Sequence, residues 1–292
     1  MGSLKERHPG TVCVYFACVL LPVMFGINPV TAGLGLAGAM AFLPLAEKNL
    51  KRRSLLFYPG VVLASTLVNP LFNHNGRTVL FFLNRNPVTF ESVLYGGVMG
   101  MIIAAALCWG RCFSRIMDTD RLLTVTGRLS PKAALILSMA LRYIPLLRRQ
   151  AEKTREAQTG LGLIREDNGI DRIRGHMRVF SGMVTWALEN GIETADSMTA
   201  RGYGSGRRTR YRLFVWERGD TAWTALSLLL LAGIGAARLG GAIGYTWYPD
   251  LIVPDPGWAG LAAYGGYGLL CFLAAGMEGR ERRKWKSLRS GI

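Results

Sequence analysis

The sequence is short of the residues that build most active sites and metal centres. Its three histidines, His8, His74 and His176, lie far apart in the chain. Its five cysteines form no C-x-x-C pair, which excludes a zinc module and a disulfide framework. The chain also lacks the G-x-x-x-x-G-K-[ST] loop that cradles ATP phosphates. We therefore predict no catalytic residue, no cofactor and no metal site.

Charge is missing from five long stretches. A helix crosses the roughly 30 Å hydrocarbon core of a bilayer with about 20 apolar residues. Half of all residues are apolar, which excludes a disordered basic tail, and the clustering of charge argues against a soluble nucleic-acid binder. The chain is predicted to be an all-α integral membrane protein with no nucleic-acid partner. The charge-free stretches are 9–46, 54–76, 92–110, 221–237 and 256–277.

The first charge-free stretch is long enough for two helices. The turn signal Gly26-Ile27-Asn28-Pro29 lies near its middle, because proline removes a backbone donor and disfavours helix in the residue before it. The run continues without charge to Ala46, so we expect the first helix to be retained rather than cleaved as a signal peptide. The sequence thus predicts about six transmembrane helices, near 11–27, 30–46, 55–73, 92–111, 221–238 and 258–277.

Positive charge lies on one side of the predicted membrane. With the N-terminus inside, 32 of the 35 Lys and Arg residues fall in inside segments, and only Arg77, Arg85 and Arg238 fall outside. Cytoplasmic loops carry such an excess of Lys and Arg. We therefore expect a multi-pass protein of the plasma or inner membrane with both termini in the cytoplasm. The basic run 207–212 favours contact with anionic membrane lipid.

Residues 111–220 form the only substantial segment between predicted spans, and their composition predicts two long helices. The first starts at Ser130-Pro131, where serine can cap the helix and proline fits its first turn. Pro145 is expected to kink this helix, which ends near the glycines of 160–162. The second is expected over about 171–200.

The second helix carries an apolar stripe at spacings of three and four residues, which is typical of a buried helix face. Packing within the chain, the membrane surface and a partner protein all remain open as its contact. The stripe consists of Ile173, Met177, Phe180, Val184, Leu188, Ile192, Ala195 and Met198.

Three stretches carry a family resemblance. They are 69–76 (NPLFNHNG), 138–145 (SMALRYIP) with Glu152, Ala157 and Gln158 after it, and 200–204 (ARGYG). Together they resemble the transmembrane T component of energy-coupling factor (ECF) transporters, the importers that include the cobalt-uptake permeases. The resemblance implies a non-catalytic subunit whose two coupling-helix ends dock on two ATP-binding-cassette (ABC) ATPases. It passes their motion to an S component, which binds the vitamin or metal ion.

The resemblance also assigns roles to residues and domains. Docking falls to Ala200, Arg201 and Gly202 at the second helix end, and to Ala157, Gln158, Leu161 and Gly162 at the first, with support from Arg142, Pro145 and Arg155. The expected domains are a transmembrane bundle of about four helices (1–110), a cytoplasmic coupling-helix domain (111–220), and about two transmembrane helices with a basic tail (221–292).

The first docking motif departs from the family pattern, because Leu161 stands where the family has arginine. Three explanations remain open: an apolar contact replaces the charge, Arg155 or Arg165 reaches the partner, or that interface has diverged.

Two other functions compete with the T component. One is the permease subunit of a conventional ABC importer. The other is a membrane enzyme acting on lipids, which would need several metal-binding carboxylates where this chain offers the pair Asp118 and Asp120.

The orientation can be tested with fusions to alkaline phosphatase, which folds in oxidising compartments because it needs disulfides. A phosphatase placed after Ile292 should be inactive, whereas one inserted after Arg85 should be active. The activity of both fusions in intact cells is the measurement. An active C-terminal fusion would contradict a cytoplasmic C-terminus.

Overall fold

The computed structural model describes residues 4, 6–47, 52–73, 76–83, 86–163, 169–206, 214–247, 252 and 255–290. His74, Arg165 and the basic run 207–212 lie outside these residues. The described chain contains α1 (Pro9–Phe25), α2 (Pro29–Ala46), α3 (Arg52–Phe72), β1 (Val79–Leu83), β2 (Asn86–Thr89), α4 (Phe90–Ile116), α5 (Thr119–Leu129), α6 (Pro131–Gly160), α7 (Gly169–Ala200), α8 (Arg218–Leu239) and α9 (Gly257–Ser290).

Five helices, α2, α3, α4, α8 and α9, are long and apolar enough to cross a membrane. The first predicted span, 11–27, corresponds to α1, which is apolar but only 17 residues long. The prediction of an all-α membrane protein is thus confirmed. Sequence patterns missed the antiparallel hairpin of β1 and β2.

The chain divides into two compact units. The first, which we call the membrane unit, comprises residues 1–122 and 214–292 and includes all six apolar helices. The second, which we call the helix-pair unit, comprises residues 123–213 and includes α6 and α7.

An aromatic cluster around Trp109 forms the centre of the membrane unit. The Trp109 side chain is fully buried, and its ring centroid lies 5.7 Å from that of Phe16 and 5.9 Å from that of Phe42. Its indole N–H donates to the Gly35 carbonyl at 2.9 Å. The cluster therefore joins α1, α2 and α4 by ring packing and by a hydrogen bond that satisfies the one polar group of tryptophan.

Two tyrosines tie α1 to α9 in opposite directions. Tyr15 on α1 donates its hydroxyl hydrogen to the Leu270 carbonyl on α9 at 2.8 Å. Tyr267 on α9 donates to the Val19 carbonyl on α1 at 3.1 Å. Hydrocarbon offers no water to replace these partners, so each bond favours the packed arrangement of the two helices.

Charged side chains meet where the charge-free stretches end. The Glu47 carboxylate binds Arg111 at 2.8 Å and Arg115 at 2.6 Å, which joins the end of α2 to α4. Near the same end of α2, Arg282 of α9 donates to the Leu45 carbonyl at 2.6 Å. These contacts fix the end of α2 against α4 and against the charged segment of α9.

The chain leaves the membrane unit and returns to it at Arg121 and Phe214. The Arg121 guanidinium carbon lies 5.2 Å from the Phe214 ring centroid, a cation–π contact. Burial lowers the pKa of the Arg121 guanidinium, and the nearby Asp118 carboxylate opposes that shift. The contact holds together the two points where the chain enters and leaves the helix-pair unit.

Close packing of α2 on α9 depends on Gly38. A Cβ atom at Gly38 would lie 2.6 Å from the Cβ of Cys271, whereas a Cβ at Gly33 on the same helix meets nothing within 4 Å. We expect Gly38→Val to destabilise the protein by about 1–3 kcal/mol through overpacking. Gly33→Val is the matched control. Thermal unfolding in detergent is the measurement, and equal loss in both variants would contradict the account.

Candidate docking site at two helix ends

Helices α6 and α7 pack in opposite directions. The Tyr143 hydroxyl on α6 lies 3.3 Å from the Asn190 carbonyl and 3.1 Å from Thr194 Oγ1 on α7. Farther along α6, the Thr154 methyl group lies 3.6 Å from the Cβ position of Gly182, which comes earlier in α7. Later residues of α6 therefore meet earlier residues of α7, and the C-terminal ends of the two helices lie at opposite ends of the pair.

The two helix ends are far apart. Arg178 of α7 donates to the Leu163 carbonyl at 3.0 Å, which places the end of α6 beside Arg178. The segment of α7 from Arg178 to Arg201 spans roughly 35 Å at about 1.5 Å per residue. Two separate partner surfaces could therefore contact the helix pair at once.

The end of α6 is a Schellman motif, a hydrogen-bonded turn that closes a helix on a glycine. The Gly162 N–H donates to the Thr159 carbonyl at 2.9 Å, and the Leu163 N–H donates to the Gln158 carbonyl at 3.0 Å. Gly162 has a φ of 69°, which glycine adopts at low cost. Leu161 occupies the C-cap position.

The end of α7 repeats the same motif. The Gly202 N–H donates to the Thr199 carbonyl at 2.9 Å, and the Tyr203 N–H donates to the Met198 carbonyl at 3.0 Å. Gly202 has a φ of 80°. Arg201, directly after the last residue of α7, takes the C-cap position that Leu161 takes on α6.

The two ends match residue by residue. Thr159 and Thr199 each donate a side-chain hydroxyl to the carbonyl four residues earlier, at 2.8 and 2.9 Å. Gly160 of α6 corresponds to Ala200 of α7, and Leu161 corresponds to Arg201. Leu161 and Arg201 therefore occupy the same C-cap position in two matching turns, but one side chain is apolar and the other is positively charged.

Both ends present exposed side chains. Leu161 is 73% exposed and Leu163 49% exposed at the end of α6, and Tyr203 is 46% exposed at the end of α7. Arg201 is also exposed. The predicted docking residues do not include Leu163 or Tyr203, although Tyr203 belongs to the 200–204 stretch. Their signal was present, because an apolar residue directly after the terminal glycine is typical of this motif.

The remaining residues assigned to the α6 end are spread along the helix. Ala157 is exposed one turn before Leu161, and Gln158 is half-buried. Arg155 is exposed, and its carbonyl accepts the bond from Thr159.

Arg142 and Pro145, expected to support the first coupling helix, lie on α6 far from its C-terminal end. Both are exposed and flank Tyr143, where α6 crosses α7. The distance from Arg142 to Leu161 is roughly 28 Å along the helix at about 1.5 Å per residue. Helix α6 continues through Pro145 without interruption.

The apolar stripe of α7 is not the face that packs on α6. Gly175 and Val179 are the buried residues of α7, whereas the large side chains of the stripe are exposed except for Met198, which is half-buried. Ile173, Met177, Phe180, Leu188 and Ile192 are each at least 60% exposed and Val184 is 41% exposed.

The third stretch of the resemblance, 69–76, links α3 to α4. The Asn69 side-chain amide donates to the Ser92 carbonyl at 2.7 Å, and the Ser92 hydroxyl donates to the Asn73 carbonyl at 2.7 Å. Next to it, Glu91 accepts a short hydrogen bond from the Thr78 hydroxyl. This part of the resemblance therefore lies in a structural contact within the membrane unit.

These features define a multi-pass, all-α membrane protein with a helix pair that ends in two matched, exposed turns. No family model matches the chain. It is 36% identical over 248 residues to the energy-coupling factor transporter transmembrane protein EcfT of Exiguobacterium sibiricum, covering 79% of this chain and 92% of that protein. It is also 36% identical over 184 residues to EcfT of Listeria innocua, covering 58% of this chain and 68% of that protein.

The chain belongs to the EcfT family, the T components of ECF transporters. This confirms the resemblance carried by the sequence motifs. The match to EcfT 1 of Listeria monocytogenes is shorter, at 35% identity over 107 residues, and spans only 40% of that protein's length. The name of these relatives describes them as transmembrane subunits of a transporter.

The turn at the α7 end can be tested with alanine. We expect Gly202→Ala to destabilise the turn by about 1 kcal/mol, since a side chain is strained at a φ of 80°. Gly191→Ala is the control: Gly191 lies inside α7 and its Cβ position is open, so alanine should favour the helix. Hydrogen exchange of peptides covering 198–206 should rise only in Gly202→Ala. Unchanged exchange would contradict the turn.

Proposed function

We propose that the α6 and α7 ends are the two docking points through which this T component meets two cytoplasmic ABC ATPases. The matched Schellman turns carry the proposal. Two rigid, exposed helix ends of one geometry suit two related partners, and their separation of roughly 35 Å lets both bind together. Rigid ends can pass a displacement to the helices behind them, since the helices contact each other through Tyr143.

The α7 end suits a partner groove with a carboxylate and an aromatic or apolar wall. Arg201 can form two parallel hydrogen bonds to a carboxylate and stack on a ring. Its charge also favours the C-terminal end of a helix, where the helix dipole is negative. Tyr203, directly after the turn, adds an exposed ring of the kind enriched at interface centres.

The α6 end suits a more apolar groove. Leu161 takes the place of the arginine, and Leu163 is exposed beside it. Of the three explanations for the missing arginine, we favour the apolar contact, because both leucines are exposed at the turn. Arg155 precedes Leu161 by more than one helical turn. The two ATPase grooves should therefore differ in charge, which would give each ATPase its own helix end.

The complete proposal is an importer in which this subunit passes ATP-driven motion to an S component that binds a vitamin or a metal ion. Both termini would lie in the cytoplasm, and the basic segments would contact anionic lipid. The exposed stripe of α7 offers an apolar surface between the two ends for the S component. Family membership favours this assembly over a conventional ABC permease or a lipid-modifying enzyme.

The docking role of Arg201 can be tested by charge reversal. We expect Arg201→Glu to reduce recovery of the ATPases by about tenfold or more, because a central interface arginine contributes about 2 kcal/mol or more. The measurement is co-purification of the transporter's own ATPases with the tagged chain. Arg149→Glu is the control, since it reverses the same charge at an exposed position in the middle of α6, away from both helix ends.

The α6 end supplies the second arm of this test. Leu161→Glu should weaken assembly, whereas Leu161→Ala should weaken it less, because only the first places a charge against an apolar groove. Undiminished ATPase recovery with Arg201→Glu and Leu161→Glu combined would overturn the docking proposal.

A further inference from the structure

A cavity of about 660 Å³ lies between α2 and α9, at the end of α9 where its charged segment begins. Apolar and small residues form most of its wall, and arginines form one end. The lining residues are Ala41 and Leu45 of α2, and Ala275, Gly276, Gly279, Arg280, Arg282 and Arg283 of α9.

The cavity exists because α9 lacks side chains there. A Cβ atom at Gly276 or Gly279 would meet nothing within 4 Å. At Gly38 and Cys271, by contrast, the same two helices lie so close that their backbones are in contact. The helices thus pack tightly in one part and leave a groove in the next, beside two alanines, Ala41 and Ala275.

Within the described residues, the arginine end of the groove carries positive charge that no ion pair offsets. Arg282 is held in place by its bond to the Leu45 carbonyl, at 2.6 Å. Arg280 and Arg283 are exposed, and neither has an ion pair within the part of the chain that the structure describes. The acidic residues nearest in sequence, Glu278 and Glu281, do not line the groove.

The groove also lies at the depth of lipid headgroups. Leu45 is two residues from Glu47, whose bonds to Arg111 and Arg115 mark the level where charge first appears on α2 and α4. Below that level the helices are apolar enough to cross the membrane. An apolar wall joined to a cluster of arginines at an interface matches a molecule with a hydrocarbon chain and an anionic head.

We infer that this groove binds one anionic phospholipid, with its phosphate at Arg280, Arg282 and Arg283 and an acyl chain along Ala41, Ala275 and Gly276. The arginines supply charge-assisted hydrogen bonds to phosphate oxygens. A soluble phosphate would leave the apolar wall uncovered, whereas an acyl chain fills it. This inference is independent of the ATPase docking proposed above.

The test is native mass spectrometry of the full chain in detergent, titrated with phosphatidylglycerol or with phosphatidylcholine of the same acyl chains. We expect tighter binding of phosphatidylglycerol. Arg280→Gln and Arg283→Gln should each weaken it by about fivefold, because each basic residue near an anionic headgroup contributes on that scale. Arg53→Gln, which removes the same charge from the exposed start of α3, should leave it unchanged.

A second pair of variants tests the apolar part of the groove. Gly276→Leu should fill the space and weaken binding of both lipids, whereas Gly265→Leu, an equally open position elsewhere on α9, should not. Equal binding of the two lipids, or unchanged binding in both arginine variants, would overturn the inference. Displacement of phosphatidylglycerol by excess inorganic phosphate would also overturn it, since the site would then serve a soluble anion.

Discussion

The membrane unit depends on one constraint: in hydrocarbon, each backbone and side-chain polar group must find its partner within the protein. The apolar stretches meet it by forming helices, and Tyr15, Tyr267 and Trp109 meet it by donating to backbone carbonyls of neighbouring helices. Charged groups are confined to the helix ends, as at Glu47. The groups free to bind a partner therefore lie at helix ends and in the helix pair.

Most of the fold was predictable because its signals are local. Charge-free stretches located the apolar helices to within a few residues at most ends; the fourth was expected at 92–111 and runs from Phe90 to Ile116. Ser130 and Pro131 marked the start of α6, and the Ser130 hydroxyl does accept the Ala133 N–H. Glycine marked both helix ends in the helix pair, because only a positive φ closes these turns at low cost.

What the sequence did not predict depends on contacts between distant residues. The bond from Tyr143 to Asn190 sets which face of α7 meets α6, and helical periodicity alone names an apolar face without naming its partner. The resemblance placed Leu161 at the family's arginine position, but the shared turn geometry of Leu161 and Arg201 appears only in the structure. The groove at Gly276 is formed by the absence of side chains on α9, and no sequence motif predicts such a groove. The resemblance gave Arg142 and Pro145 a supporting role in the first coupling helix; both lie on α6, far from its C-terminal end, and that role stays a prediction.

The central claim, that each helix end meets an ATPase, is tested most directly by photo-crosslinking. A benzoylphenylalanine placed at Leu163 or at Tyr203 would lie beside the turn without replacing its glycine or its C-cap residue. In the assembled transporter, mass spectrometry should identify ATPase peptides crosslinked at both positions, with a different ATPase chain or groove at each. Crosslinks at both positions to the S component or to lipid alone, with no ATPase peptide, would contradict the account.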